Sequence, residues 1–183
     1  MFAKIKFFIP LAVLITGLSG LVYWVVQQDI RIGSYEPQIQ MSEDAAARIS
    51  AGEDPVKVVP TDSVEITKSV APYVIVFDEN GKVLATDARL NGKAPTVPQG
   101  VLDYAKVHNQ DRVSWQPMSG VRSAIIVTKF SNSKISGTVV SGRSLREPEK
   151  RVEMLGLQVL LAWSATIFAT FAAVIVFADG KKR

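Results

Sequence analysis

Few residues in this chain are equipped for chemistry. His108 is the only histidine and there is no cysteine. Disulfides, thiolate metal sites and cysteine nucleophiles are thereby excluded, and imidazole acid–base chemistry rests on a single residue. Asp103, Asp111 and Ser114 lie near His108 in sequence, but a Ser–His–Asp site is made by geometry, not by such proximity. There is no G-x-S-x-G elbow. A histidine at a helix end also meets the helix dipole favourably with no catalytic role. The carboxylates Asp78, Glu79, Asp87 and Asp103 are of a type that binds a cation or an amine. Asp78 and Glu79, however, flank a turn, where carboxylates bond to local backbone, and no D-x-[DN]-x-[DN]-G calcium loop is present. The expectation is a protein that is not an enzyme and holds neither metal nor cofactor.

Two side chains stand out for binding. Trp115 alternates with Ser114 and Gln116, so its strand has one apolar and one polar face. The indole is either core or an apolar wall for a ligand. Arg122 opens a strand whose same-face neighbours are Ala124, Ile126, Thr128 and Phe130. A guanidinium among apolar neighbours needs an anion. Either a ligand carboxylate or an internal Asp or Glu meets that need.

The elements that must position these residues follow from periodicity. Ser42 is a plausible N-cap for a short helix that ends near Gly52. Residues 53–72, with Pro55, Pro60 and Pro72, read as a loop with one short element around 63–70. Residues 73–78, YVIVFD, form a buried strand. Asn80–Gly81 supplies the positive φ of a tight hairpin, and residues 83–86 return. A loop follows over 87–96, then a helix over 98–109. Strands are expected at 112–116, 121–131 and 136–142, and a helical pattern resumes at Leu145. Consecutive hairpins require an antiparallel sheet. The fold class is therefore α+β, a five-stranded antiparallel sheet with helices on one side.

This domain lies between two uncharged apolar runs. Residues 7–26 and 155–177 are each long enough to cross the ~30 Å hydrocarbon layer. The first ends without a small-x-small cleavage site, so an uncleaved anchor is favoured over a signal peptide. Pro10 sits in its first turns, where proline costs little. Residues 27–150 hold 15 Lys/Arg and 15 Asp/Glu, so the net charge of +4 belongs to the flanks. Lys4 and Lys6 precede the first run, and Lys181, Lys182 and Arg183 follow the second. The positive-inside rule places both termini in the cytoplasm and residues 27–154 outside the cell membrane. A neutral domain carries no nucleic-acid footprint. Ala162, Ala165, Thr166, Ala169, Thr170 and Ala173 recur at three- and four-residue spacing, as do Thr16, Gly17 and Gly20. Small residues at this spacing suit close helix packing in lipid, between the two spans or across a dimer.

The hairpin 73–86, YVIVFDENGKVLAT, resembles the first hairpin of extracytoplasmic PAS-like (Cache-type) sensor domains, and residues 142–147, GRSLRE, are similar to their exit from the last strand toward the membrane. The resemblance covers about 70–155 and the membrane–domain–membrane layout. It implies a PAS-like sheet with a pocket between the sheet and the loop and helix after the first hairpin, near Tyr73, Asp87, Arg89, Tyr104, Trp115 and Arg122. It also implies a sensory or accessory role, for which Arg122 and Trp115 are the expected anchors of a small anionic ligand. Receptors of this kind continue into a cytoplasmic kinase, methyl-accepting or cyclase module, whereas residues 178–183 alone follow the second run here. The expected partner is therefore a second copy or another protein in the same membrane. The alternative is a structural or assembly subunit that uses the domain as a docking surface.

Overall fold

The computed structural model describes residues 2–177; the basic residues Lys181, Lys182 and Arg183 lie outside them. Twelve elements occur in the order α1 (Phe2–Gly33), α2 (Glu36–Ser50), α3 (Pro55–Val58), β1 (Val64–Glu65), β2 (Tyr73–Asp78), β3 (Val83–Thr86), β4 (Ala88–Arg89), α4 (Gln99–His108), β5 (Gln110–Met118), β6 (Val121–Ser131), β7 (Ser136–Ser144) and α5 (Arg146–Phe177). They divide into two compact units, one made of the long terminal helices and the other of residues 32–148. The second unit is shorter than the expected 27–154 because both long helices run past their apolar cores.

Within the helical unit, α1 and α5 each contain a stretch long and apolar enough to span a membrane. They pack antiparallel. The Trp163 indole donates to the Thr16 hydroxyl at 3.0 Å, and the Phe8 and Phe171 rings meet edge to face at 5.5 Å. Glycine at 156 leaves room for Tyr23. The seam therefore uses Thr16 from the small-residue set of α1, while Ala162, Ala165, Thr166, Ala169 and Ala173 remain exposed. Pro10 lies inside α1, not in its first turn, because the helix begins at Phe2. The hydroxyls of Ser164, Thr166 and Thr170 donate to carbonyls four residues back, as side-chain hydroxyls do where water is absent.

The domain is built on an antiparallel sheet of five strands in the order β3-β2-β7-β6-β5, with a small parallel pair β1-β4 beside it. β2 is apolar without alternation because both of its faces are covered. Tyr73, Ile75 and Phe77 point to a core with Leu102, Ala105, Ile125, Val127 and Val140. Val74 and Val76 point to a second core with Ala45, Ala46, Ile49, Val58, Val59 and Phe130. This corrects the expectation of helices on one side: α2 and α3 cover one face and α4 the other.

α2 starts six residues before the expected cap. Pro37 stands in its first turn, where the missing N–H has no helical partner to lose. Ser42 is consequently no cap. It is buried mid-helix, donating to the Ile39 carbonyl and meeting the Thr128 hydroxyl at 2.8 Å. Two similar contacts extend this seam: Tyr35 to Ser114 at 2.9 Å, and Ser141 to the Gln38 carbonyl. The Asn132 amide closes it by donating to the Ile49 carbonyl at 2.7 Å, near the end of α2.

The β2–β3 turn also departs in detail. The Asp78 carboxylate accepts the Asn80 and Lys82 amides at 2.9 and 2.8 Å, and Gly81 N–H donates to the Asp78 carbonyl at 3.1 Å. Gly81 has φ +77, whereas Asn80 is not among the residues with positive φ. A turn closed by one left-handed glycine replaces the expected pair of positive angles. A β-carbon at residue 81 would in addition strike the Gln99 side chain. Gly81→Val should therefore lower the unfolding free energy by about 1–3 kcal/mol, measured by denaturant titration. Parental stability would contradict this turn geometry.

Candidate functional site

Where β3 ends, the chain turns through a corner that bonds to the head of β2. The Thr86 hydroxyl donates to the Val74 carbonyl at 3.0 Å and accepts the Ala88 amide at 2.9 Å. Asp87 is 3% exposed. Its Oδ1 accepts the Val74 amide at 2.7 Å, and its own carbonyl accepts the Val64 amide at 2.8 Å. Asp87 thus ties β2 of the large sheet to β1 of the small one. Its Oδ2 is buried and has no hydrogen-bond partner. Burial pushes its carboxyl up to about 6, against the opposing pull of the Val74 amide, its own backbone and the Arg89 charge. Arg89 itself donates to the Ala88 carbonyl at 2.9 Å and to the Thr86 carbonyl at 3.4 Å.

Tyr73, wholly buried, adds the second polar group. Its hydroxyl is an unpartnered buried atom, as is the Ser123 hydroxyl. Burial raises the phenol well above its ordinary value. Ser123 lies beside it and eases the shift without meeting hydrogen-bond geometry, while the Asp87 charge adds to it. The ring has space because residue 142, paired with Tyr73 across β2 and β7, is glycine. A β-carbon there would overlap the phenol ring. Trp115 pairs with Ser123 across β5 and β6 and belongs to the same core as Tyr73. The Tyr73 and Ser123 hydroxyls are thus two unsatisfied oxygens in one apolar core, and Asp87 Oδ2 is a third buried oxygen without a partner, on the β3 side of β2. Unsatisfied buried groups of this kind are rare.

Of the residues singled out from sequence, Tyr73 and Trp115 belong to one buried core, and Asp87 is buried at the junction of β2 with β1. The structure leaves out two. Because Trp115 pairs with Ser123, Arg122 projects from the opposite face of the sheet, and it is exposed. Arg122 and Trp115 therefore do not form the expected pair. Tyr104 is 49% exposed on α4, where its ring stacks on His108 at 3.9 Å. Ser123 and Gly142 were missed, although the serine stands just before the apolar run 124–127 and the glycine lies in a buried stretch of β7.

The residues around His108 are also dispersed. His108 Nδ1 lies 3.0 Å from the Tyr104 carbonyl, and Asp103 binds Lys106 at 2.7 Å. Asp111 accepts the Arg112 amide, and Ser114 meets Tyr35. Among the described residues no group of three or more His, Asp or Glu side chains could hold a metal ion. A separate carboxylate, Glu65, accepts the Asn91 and Gly92 amides at 2.9 Å each and the Thr67 hydroxyl. These bonds hold its pKa below the ordinary value and fasten the loop after β4. No protein-family model matches the chain, and no curated protein matches it.

The close approach of Tyr73 to Gly142 is testable. Gly142→Ala should cost about 1–3 kcal/mol by overpacking. In a Tyr73→Ala background the same change should cost much less, and the difference measures the coupling. Equal costs in both backgrounds would mean that the ring does not fill that space.

Proposed function

We propose that this protein is a membrane-anchored sensory or accessory component whose PAS-like (Cache-type) domain lies outside the cytoplasm, binds a small ligand, and acts through its helices on a partner in the same membrane. The observation that carries this reading is the connection of the domain's central strands to both long helices. α2 follows α1 after two residues and lies across β6 and β7. β7 passes through Leu145 alone into α5. A change in the sheet therefore has a short covalent route to each candidate span. The sheet order, with the first hairpin beside the last strand of a meander, is compatible with a PAS-like domain.

In this reading the buried unpartnered oxygens of Tyr73, Ser123 and Asp87 mark the region of the ligand site, with Trp115 in the same core. An anionic ligand loses its anchor, since Arg122 lies on the opposite face from Trp115 and the nearest buried ionisable carboxyl, Asp87, would repel it. A small neutral or hydrogen-bond-donating molecule fits the chemistry better. No catalytic role is assigned to any residue. The docking-subunit reading has one observation in its favour: Val107 is 76% exposed beside Tyr104 on the outer side of α4, an apolar contact surface with no ligand requirement.

Thermal melts of the full chain in nanodiscs, with a panel of amino acids, sugars and organic acids, separate the two. A ligand that binds the native state raises the melting temperature, and Tyr73→Phe should weaken that rise. A panel without effect, together with loss of complex formation in Val107→Asp, would move the docking reading ahead. Orientation is tested by cysteine labelling in intact cells. Asn91→Cys should react with an impermeant reagent and Lys182→Cys should not, and the reverse pattern would overturn the proposed topology.

A further inference from the structure

We propose that the seam between α1 and α5 seats one acyl chain of a membrane lipid, in a groove that runs from Tyr23 and Gly156 at one end to Thr16 and Trp163 at the other. The proposal rests on the membrane anchorage in the reading above and on no ligand of the domain.

The groove has a volume of about 420 Å³, within the ~300–1,000 Å³ of ordinary small-molecule pockets. Its lining includes Thr16, Ser19, Gly20 and Tyr23 of α1 and Gly156 and Trp163 of α5, all within the helical unit. Small residues in a helix seam ordinarily let two backbones close on each other. Here they leave space instead. A β-carbon added at Gly20 would meet nothing within 4 Å, and one at Gly156 would meet the edge of the Tyr23 ring at 3.7 Å. Such space deprives its lining of dispersion contacts unless something fills it.

Chemistry and depth select the occupant. The Thr16 hydroxyl is already committed, donating to the Ala12 carbonyl at 2.8 Å and accepting the Trp163 indole at 3.0 Å. The indole N–H is spent in the same bond. The rest of the wall is almost wholly apolar, so a polar guest would exchange water for hydrocarbon at a loss. Tyr23 and Gly156 stand near the domain-side ends of the uncharged runs 7–26 and 155–177, and Thr16 and Trp163 lie toward their middles. Seven residues of each helix separate the two ends of the groove, a rise of about 10 Å, against ~15 Å of hydrocarbon in one leaflet. An acyl chain descending from the domain-side headgroups follows that line. A partner's transmembrane helix has ~30 Å of hydrocarbon to cross and would meet the groove over only about a third of it. A seated chain gains on the order of ten carbon contacts, enough for a preference of about fivefold over free lipid positions.

The test is photo-cross-linking of the full chain in phosphatidylcholine nanodiscs doped with phosphatidylcholine that carries a mid-chain diazirine, with adducts mapped by mass spectrometry. Adducts should favour the groove residues by about fivefold over Leu21, Leu157 and Leu161, which are exposed on the same turns of the two helices. Gly20→Leu, whose side chain enters the open space, should bring groove adducts down to the level of those leucines. Leu161→Ala should leave them unchanged. Ser19→Leu fills the groove from its other side and decides the matter if Gly20→Leu is not retained by the nanodiscs. Failure of the parent chain to be retained would overturn the anchorage and the groove together. Retention with adducts spread evenly around both helices, or groove adducts unaffected by either filling variant, would overturn the groove alone. A disulfide between copies of Gly20→Cys formed in place of lipid adducts would also overturn it, by making a second copy the occupant.

Discussion

Pairing of β2 with β7 holds the domain together. Six residue pairs, from Tyr73–Gly142 to Asp78–Gly137, join a local hairpin to a local meander across some 60 positions of sequence. Loop closure over that distance has to be offset by contacts that form only when the two pieces meet. Both ends of the ladder require glycine on β7. A side chain at 142 would enter the Tyr73 ring, and one at 137 would enter the Phe77 carbonyl. The two cores, one on each side of the sheet, take residues from both pieces, so neither is complete until this ladder is.

The same ladder places the Tyr73 and Ser123 hydroxyls. Tyr73 opens β2, its ring crosses β7 at Gly142, and its hydroxyl arrives beside Ser123 of β6. Asp87, in the chain that has just left β3, instead takes both backbone groups of Val74 on the β3 side of β2. None of these residues is near another in sequence except through strand register. Buried oxygens without partners forgo some stability.

This explains what could be read from the sequence. The boundaries of β2, β3 and β6 follow from β-branched runs punctuated by turns, and those strands stand where periodicity places them. The two apolar runs are equally plain, since length and absence of charge suffice. Face assignment was harder. Arg122 and Trp115 are both near a strand end, and only the pairing of Trp115 with Ser123 shows that they lie on opposite faces; a shift of one residue reverses the answer. The early start of α2 was hidden by Pro37, which terminates a helix from within but is welcome in its first turn. β1 and β4 have two residues each, too short for any period to register. Ser123 and Gly142 become informative only once the strands around them are known to be buried on both sides.

The two sides of the sheet differ mechanically. Against α4 the contact is interlocked aromatic and aliphatic side chains, which resist displacement as a close-packed solid does. Against α2 the seam contains Ser42 with Thr128, Ser141 with the Gln38 carbonyl, and Tyr35 with Ser114. Hydroxyls can exchange partners by rotating, with little net loss of bonding, whereas lifting the helix away would expose Ile49 and the alanines beside it. The seam thus combines rotatable hydroxyl contacts with the apolar packing of Ala45, Ala46 and Ile49. Small shears are a recognised way for packed helices to move. In this chain such hydroxyl contacts lie on the helix that leads back to α1.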